Sequence, residues 1–570
     1  MITHYLKKGT SFLALSAAMM LVASCSTDSN YDLSDVDTNA RFEVNGLVLP
    51  INITPVTLET MLDIADDSKI KKETLADGSV IYSITESGSF DSEPIESDDF
   101  IVAGTLSSAM ESLTFDAFPL SGYDFSADIP TDKTDTKVDV TSTDISSNLR
   151  SLESLGISTT ARLTIDVNIG IATDVKITGL KINFLKGLTV GDITVNGNKY
   201  GSYDPTTGVL TFNELTANSI IDIPITRMTN NNYFTYRSTG SQFQIFEDIT
   251  IASGGKIVGK TVGSVQPTQG YFTVSLDLQN IEIKSVTGEI AKEIDVDDID
   301  PIELTDLPDM LKEAGTDIKL TDPKLTLKVN NPLVEKGYSN AIVQTGLKLT
   351  ANGKSYSTND GEIKAKKDNN DITISPNVTT SDNTVKFDGL KYILQDESGT
   401  KGMPDKIEVA VFNTQVPQTK ITDYLLGSAG QLNAVHGEYT FYTPLSITAD
   451  SKIKYAKDWD DWQDDDLDGL TITAAKVNMT VTNNVKLGIE SIDFKIYGTD
   501  GSVMTGSQNI NIAPGETKDV EIDMTGNVSK ISGAKVDLHI NGGDATLMPS
   551  QAMKLENLKA TVTGYYDKKL

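Results

Sequence analysis

A period of two runs through this chain. Leu163-Thr164-Ile165-Asp166-Val167 and Tyr271-Phe272-Thr273-Val274-Ser275-Leu276 alternate apolar with polar residues, and similar short runs are separated by Gly, Asn and Asp. Successive strand residues point to opposite faces, so each run can turn one face to a core and the other to water. Antiparallel sheets packed as sandwiches have this pattern. No train of long amphipathic helices alternates with the strands, which argues against a doubly wound or barrel α/β enzyme. The expected class is all-β, with tandem Ig-like antiparallel β-sandwich modules and a few short helices. A chain of 570 residues can bury several such cores.

The alternation repeats in a degenerate form. Arg162-Leu-Thr-Ile-Asp-Val-Asn168 matches Lys324-Leu-Thr-Leu-Lys-Val-Asn330, and Lys476-Val-Asn-Met-Thr-Val-Thr482 and Lys535-Val-Asp-Leu-His-Ile-Asn541 follow the same form. Hairpin signals follow the first three, at Asn196-Gly197, Asn352-Gly353 and Asp500-Gly501. A helix-like stretch ending in glycine precedes the first two. Leu149, Leu152 and Leu155 lead to Gly156, and Pro308 to Ala314 leads to Gly315. Near the start, Leu58, Met61, Leu62 and Ala65 fall on one helical face, as expected of a helix packed on a sheet. Short helices are therefore expected near 57–65, 146–155 and 307–314. Recurring forms with matching flanks favour related β modules over chance.

The expected organisation begins with a signal peptide at 1–24 and an acidic, flexible tether at 25–40. An N-terminal β region with one helix follows at 41–125, and sandwich modules at 126–294, 295–450 and 451–570. The leader has Lys7 and Lys8, then a short apolar core from Phe12 to Ala23. The chain carries 80 Asp+Glu against 48 Lys+Arg, a formal net charge of −32. Such a surface repels nucleic acid and anionic headgroups, so no nucleic-acid partner is expected.

Leu21-Val22-Ala23-Ser24-Cys25 resembles a bacterial lipobox, in which the cysteine thiol is lipidated and the preceding residues are removed. Cys25 is the only cysteine. Once lipidated, it leaves no thiol for a disulfide, a zinc site or a nucleophile. The polar, acidic stretch 26–40 resembles the surface-export signals of Bacteroidota lipoproteins, although a plain tether reads equally well. Leu47-Val-Leu-Pro50 followed by Thr57-Leu-Glu-Thr-Met-Leu62, and Leu307-Pro-Asp-Met-Leu311 followed by Asp322-Pro-Lys-Leu-Thr-Leu-Lys-Val-Asn-Asn-Pro332, resemble uncharacterised Bacteroidota surface lipoproteins. The resemblance implies an outer-membrane lipoprotein, surface-exposed and attached through its lipid. It carries no activity to transfer.

Three motifs invite chemistry. Gly254-Gly-Lys-Ile-Val-Gly259-Lys260-Thr261 spells a phosphate-binding loop, but a poor helix follows it, so a glycine-rich β turn is the better account. His436 and His539 alone remain after the leader, too few for a histidine metal cluster. Asp458-Trp-Asp-Asp-Trp-Gln-Asp-Asp-Asp-Leu-Asp468-Gly469 is unusual. Asp464, Asp466, Asp468 and Gly469 match the start of a calcium loop, yet the twelfth position is Ala475 rather than a bidentate Glu. A weak calcium site completed elsewhere competes with a solvated acidic loop. Trp459 and Trp462 could stack on a sugar or cover a sandwich edge.

The first functional reading is a non-enzymatic, lipid-anchored envelope protein for adhesion, scaffolding or partner binding. The second is an accessory glycan-binding lipoprotein of a nutrient-uptake system. The third is a hydrolase working with paired carboxylates.

Overall fold

The computed structural model describes residues 39–569, apart from 51–55, 63, 65–67, 107, 116–121, 132–136, 170–171, 231–233, 238–239, 254, 263–267, 396–401 and 460–468. The protein is all-β, with 65% strand and 4% helix. Among the described residues every strand pairing is antiparallel except that of Asn369–Ser375 with Thr384–Lys386.

Alternation builds three two-layer packings. In the first, the strands Asn218–Thr229, Leu149–Asn168 and Thr268–Glu293 face the layer of Val209–Thr216, Ala172–Asn183 and Lys256–Thr261. Leu163 and Ile165 meet Ile177, Leu180 and Phe212 in one core. In the second, Asn369–Ser375, Lys324–Asn330, His436–Pro444 and Val80–Asp91 pair in that order. Leu325, Phe441 and Tyr82 pack there against Leu349 and Val409 of the opposite layer. The third sets Ala552–Lys569, Leu470–Asn483 and Thr517–Ser529 against Gly488–Gly498, Ile531–Asn541 and Lys452–Trp459. Its two layers join where Val503–Thr505 pairs with Thr525–Asn527.

The first two packings share a sheet. Thr268–Glu293 pairs with Leu149–Asn168 and also with Lys406–Leu425, which pairs in turn with Val343–Ala351. The second and third share a continuous apolar core instead. Strands of the 41–125 stretch are dealt out among these units. Asn39–Pro50 adds an edge to the third, while Ile70–Thr74 and Val80–Asp91 extend the second. Phe100–Leu106 pairs with Lys137–Ile145 in a small sheet of its own. At the outer edge of the third packing, Arg41 grips Asp567 with two hydrogen bonds of 2.8 and 3.1 Å and lies over the Tyr565 ring.

All four repeat segments are strands. Their apolar residues are buried, save Val329, which is half-buried. The turns form as the sequence demands. Asn196 and Gly197 both have positive φ, at 48° and 83°, and so do Asn352 and Gly353, at 49° and 79°, the geometry that two-residue hairpins require. A helix forms at Leu58–Met61, with Thr57 capping it, and another at Asp309–Lys312. Ala65 lies outside the described residues.

The stretch 146–155 departs from expectation. It opens the strand Leu149–Asn168, and no helix forms. Leu149, Leu152 and Leu155 are all buried nonetheless. The register explains this: Ser154 sits opposite Thr287 but Leu152 opposite Gly288, and Ser151 opposite Glu289 but Leu149 opposite Ile290. Glu153 and Arg150 are therefore extra residues, each a bulge that resets the pleat. Two bulges in succession turn a period of two into a period of three, which imitates a helical face. Gly288 permits this packing, because a β-carbon there would strike the Ser151 carbonyl.

The repeat extends beyond the strands into a pair of buried asparagines. Asn331 Oδ1 accepts from the Leu333 and Val334 amides, and its Nδ2 donates to the Ala341 and Ala365 carbonyls. Asn483 does the same for Val485, Leu487 and Ile512. Asn483→Ala strands these backbone groups in an apolar setting and should cost about 2–3 kcal/mol in chemical denaturation.

Candidate functional site

A group of ionisable side chains lies close together on the outward face of the third packing. It is built by cross-strand pairing. Asp493 sits opposite Asp537 on one side and Ser507 on the other, and Lys454 sits opposite His539. His539 Nε2 lies 2.8 Å from Asp493 Oδ2, and the Ser507 hydroxyl donates to Asp493 Oδ1 at 2.6 Å. Burial would raise Asp493, but the hydrogen bonds from Ser507 and His539 outweigh it and hold the carboxyl below its ordinary range. Lys454 Nζ stands 3.3 Å from Asp537, and Lys535 Nζ stands 3.7 Å from Asp458.

The order of these contacts limits their chemistry. Ser507 gives its proton to the carboxylate and not to the imidazole. A nucleophilic triad needs the imidazole between the two, so this is no hydrolytic triad. The face offers instead alternating carboxylates, ammonium groups and hydroxyls on a rigid sheet. Such a surface can hydrogen-bond a polar partner.

The sequence-derived site residues relate to this face unevenly. Trp459 ends the strand Lys452–Trp459, opposite Ala534, and Asp458 belongs to the face. Trp462, Asp464, Asp466 and Asp468, the expected calcium and sugar residues, lie outside the described residues, as does Cys25. His539 lies on the polar side of its repeat strand, as the alternation requires. Its partner Asp493, and the neighbouring Ser507 and Asp537, were not legible, because the strand registers that bring them together are set by tertiary pairing. The loop-like motif at 254–261 is a strand from Lys256 to Thr261 paired with Asp124–Asp128, with Gly255 at positive φ before it.

Two features are interior. A cavity of about 40 Å³ in the second packing is lined almost wholly by apolar side chains, among them Phe90, Leu327, Val343 and Val409. Between the first two packings lies a buried ion pair. Lys292 Nζ stands 3.3 Å from Asp98 Oδ1, with side chains 8% and 2% exposed. Asp98 also accepts hydrogen bonds of 2.7 Å from Ser146, Asn148 and Tyr424. Burial alone would raise the Asp98 carboxyl. The bonds from Asn148 and Ser146 and the charge of Lys292 prevail and leave it below the usual carboxylate range. Burial drives the Tyr424 hydroxyl far above its ordinary value, with the Asp98 charge adding to the shift.

No family model and no curated protein matches the chain. Among solved structures, a protein of Parabacteroides distasonis described as secreted is similar over 48% of this chain and 82% of its own, at 19% identity and a TM-score of 0.30. A structure of infectious bursal disease virus spans 91% of this chain and 87% of its own at 10% identity and a TM-score of 0.06. Neither likeness is close enough to carry an argument about fold or function.

A carboxylate held low by hydrogen bonds lies in the turn between Gly488–Gly498 and Val503–Ile512. Hydrogen bonds from the side chains of Ser502 and Ser529 and from the Ser502 amide hold Asp500 down to about 2. A depressed carboxyl stabilises the fold above its unfolded value of about 3.9, and the contribution fades as pH falls through the folded value. Stability of this region should hold down to about pH 4 and decline from there towards pH 2. Asp500→Asn should flatten that decline in thermal melts across the same range.

Proposed function

We propose that this protein is a lipid-anchored, non-catalytic component of the cell envelope, exposed at the outer membrane, whose coupled sandwiches hold a polar face for a protein or glycan partner. The observation that carries this reading is the order Lys7-Lys8, Phe12 to Ala23, and Leu21 to Cys25. The seating of the first strand, Asn39–Pro50, on Ala552–Lys569 supports it, because a tether from Cys25 then leads to the edge of the third packing. Cys25→Ala should abolish acylation and leave the leader uncleaved, which intact-mass spectrometry checks. A variant that stays membrane-bound and normally processed would refute the anchor.

A second reading, glycan capture, is favoured by one observation. Asp458, Lys535 and Asp537 form a face of carboxylate and ammonium groups that can hydrogen-bond sugar hydroxyls, and Asp458 precedes Trp459 in the chain. A broad glycan array separates the readings: binding that disappears in Trp459→Ala and Trp462→Ala would select the glycan.

A further inference from the structure

We propose that Lys292 and Asn148 become joined by an amide bond between their side chains, formed autocatalytically with Asp98 as the proton carrier. The two nitrogens converge on one oxygen. Lys292 Nζ is 3.3 Å from Asp98 Oδ1, and Asn148 Nδ2 donates to the same atom at 2.7 Å. Their backbones are adjacent, since the Ala291 amide donates to the Asn148 carbonyl at 2.9 Å. Leu149 and Tyr424, each 1% exposed, help close the site to water. The pair rests ionised, and proton transfer to the carboxylate is a minor excursion that the desolvation of both ions makes accessible. The transfer leaves a neutral amine, which is the nucleophilic form of lysine.

Asp98 is the base and not the electrophile. Four donors hold it ionised, and a carboxylate resists attack, whereas the Asn148 amide carbon is neutral. The step balances. One Nζ proton passes to Asp98, and the amine attacks Asn148 Cγ. The Cγ–Nδ2 bond then breaks, a second Nζ proton leaves with Nδ2 as ammonia, and the third stays on the new amide nitrogen. Asp98 ends protonated, with no oxidant or external acid consumed. Ser146 and Tyr424 act as positioning residues through their hydrogen bonds to Asp98. The bond would tie the end of Thr268–Glu293 to the start of Leu149–Asn168. A chain with one cysteine has no disulfide available for that purpose.

Peptide mapping of the purified mature protein by mass spectrometry tests this. The expected result is a branched peptide joining Lys292 to Asn148, lighter by one ammonia than its two parts, with no tryptic cleavage after Lys292. A succinimide at an asparagine loses the same mass, so the branch itself decides. Lys292→Arg should abolish the branch and restore both linear peptides. Linear peptides alone in the wild-type protein would overturn the proposal, whatever the variants do. A branch between Lys292 and Asp98 with loss of one water would overturn it as well, since Asp98 would then be the electrophile.

Discussion

Leu325→Asp should unfold the second sandwich, with a loss of about 4 kcal/mol or more. Leu325 is fully buried on the repeat strand Lys324–Asn330 and meets the core of both layers. A carboxylate there has no partner and forfeits the packing of the leucine as well. Lys328, on the opposite face, is exposed between Asp371 and Glu438. Lys328→Gln should therefore change stability by less than about 1 kcal/mol, whereas Lys328→Asp would line up three carboxylates and is the poorer control. Denaturant midpoints measured on the three proteins check this. Equal effects at 325 and 328 would refute the two-faced strand.

Asp98→Ala should cost about 3–5 kcal/mol. Without its base the Lys292–Asn148 bond cannot form, so the substitution leaves the Lys292 ammonium buried without a counter-charge and removes the acceptor of Ser146, Asn148 and Tyr424. Tyr424→Phe removes one donor and keeps the charge balance, so it should cost only about 1–2 kcal/mol. Thermal melts of the two variants give the order. A loss in Asp98→Ala no larger than in Tyr424→Phe would mean that the charge is not held as described.

Much of the fold was legible because alternation is a local signal. The strands at 163–167 and 272–276, the hairpins at Asn196-Gly197 and Asn352-Gly353, and the short helices near 58 and 309 follow from neighbouring residues. The stretch 146–155 was misread for a physical reason: consecutive bulges gave Leu149, Leu152 and Leu155 a helical spacing within a strand. Pairings across the whole chain were not legible. Arg41 meets Asp567 and Asp98 meets Lys292 only after the sheets assemble. The polar face was half legible. His539 was visible as an outward residue of its repeat strand, but Asp493 reaches it, and Ser507 reaches Asp493, through strand register alone.

A scaffold of this kind is stiff only if its units cannot open separately, and the first two sandwiches are tied by the sheet they share. Hydrogen exchange followed by mass spectrometry in Leu325→Asp tests that most directly. Amides of 406–425 and of 285–293 should lose protection together with those of 324–330, since the three segments are linked through one core and one sheet. Exchange confined to 324–330 and its sheet neighbours, with 406–425 and 285–293 protected as in the wild type, would contradict the shared sheet.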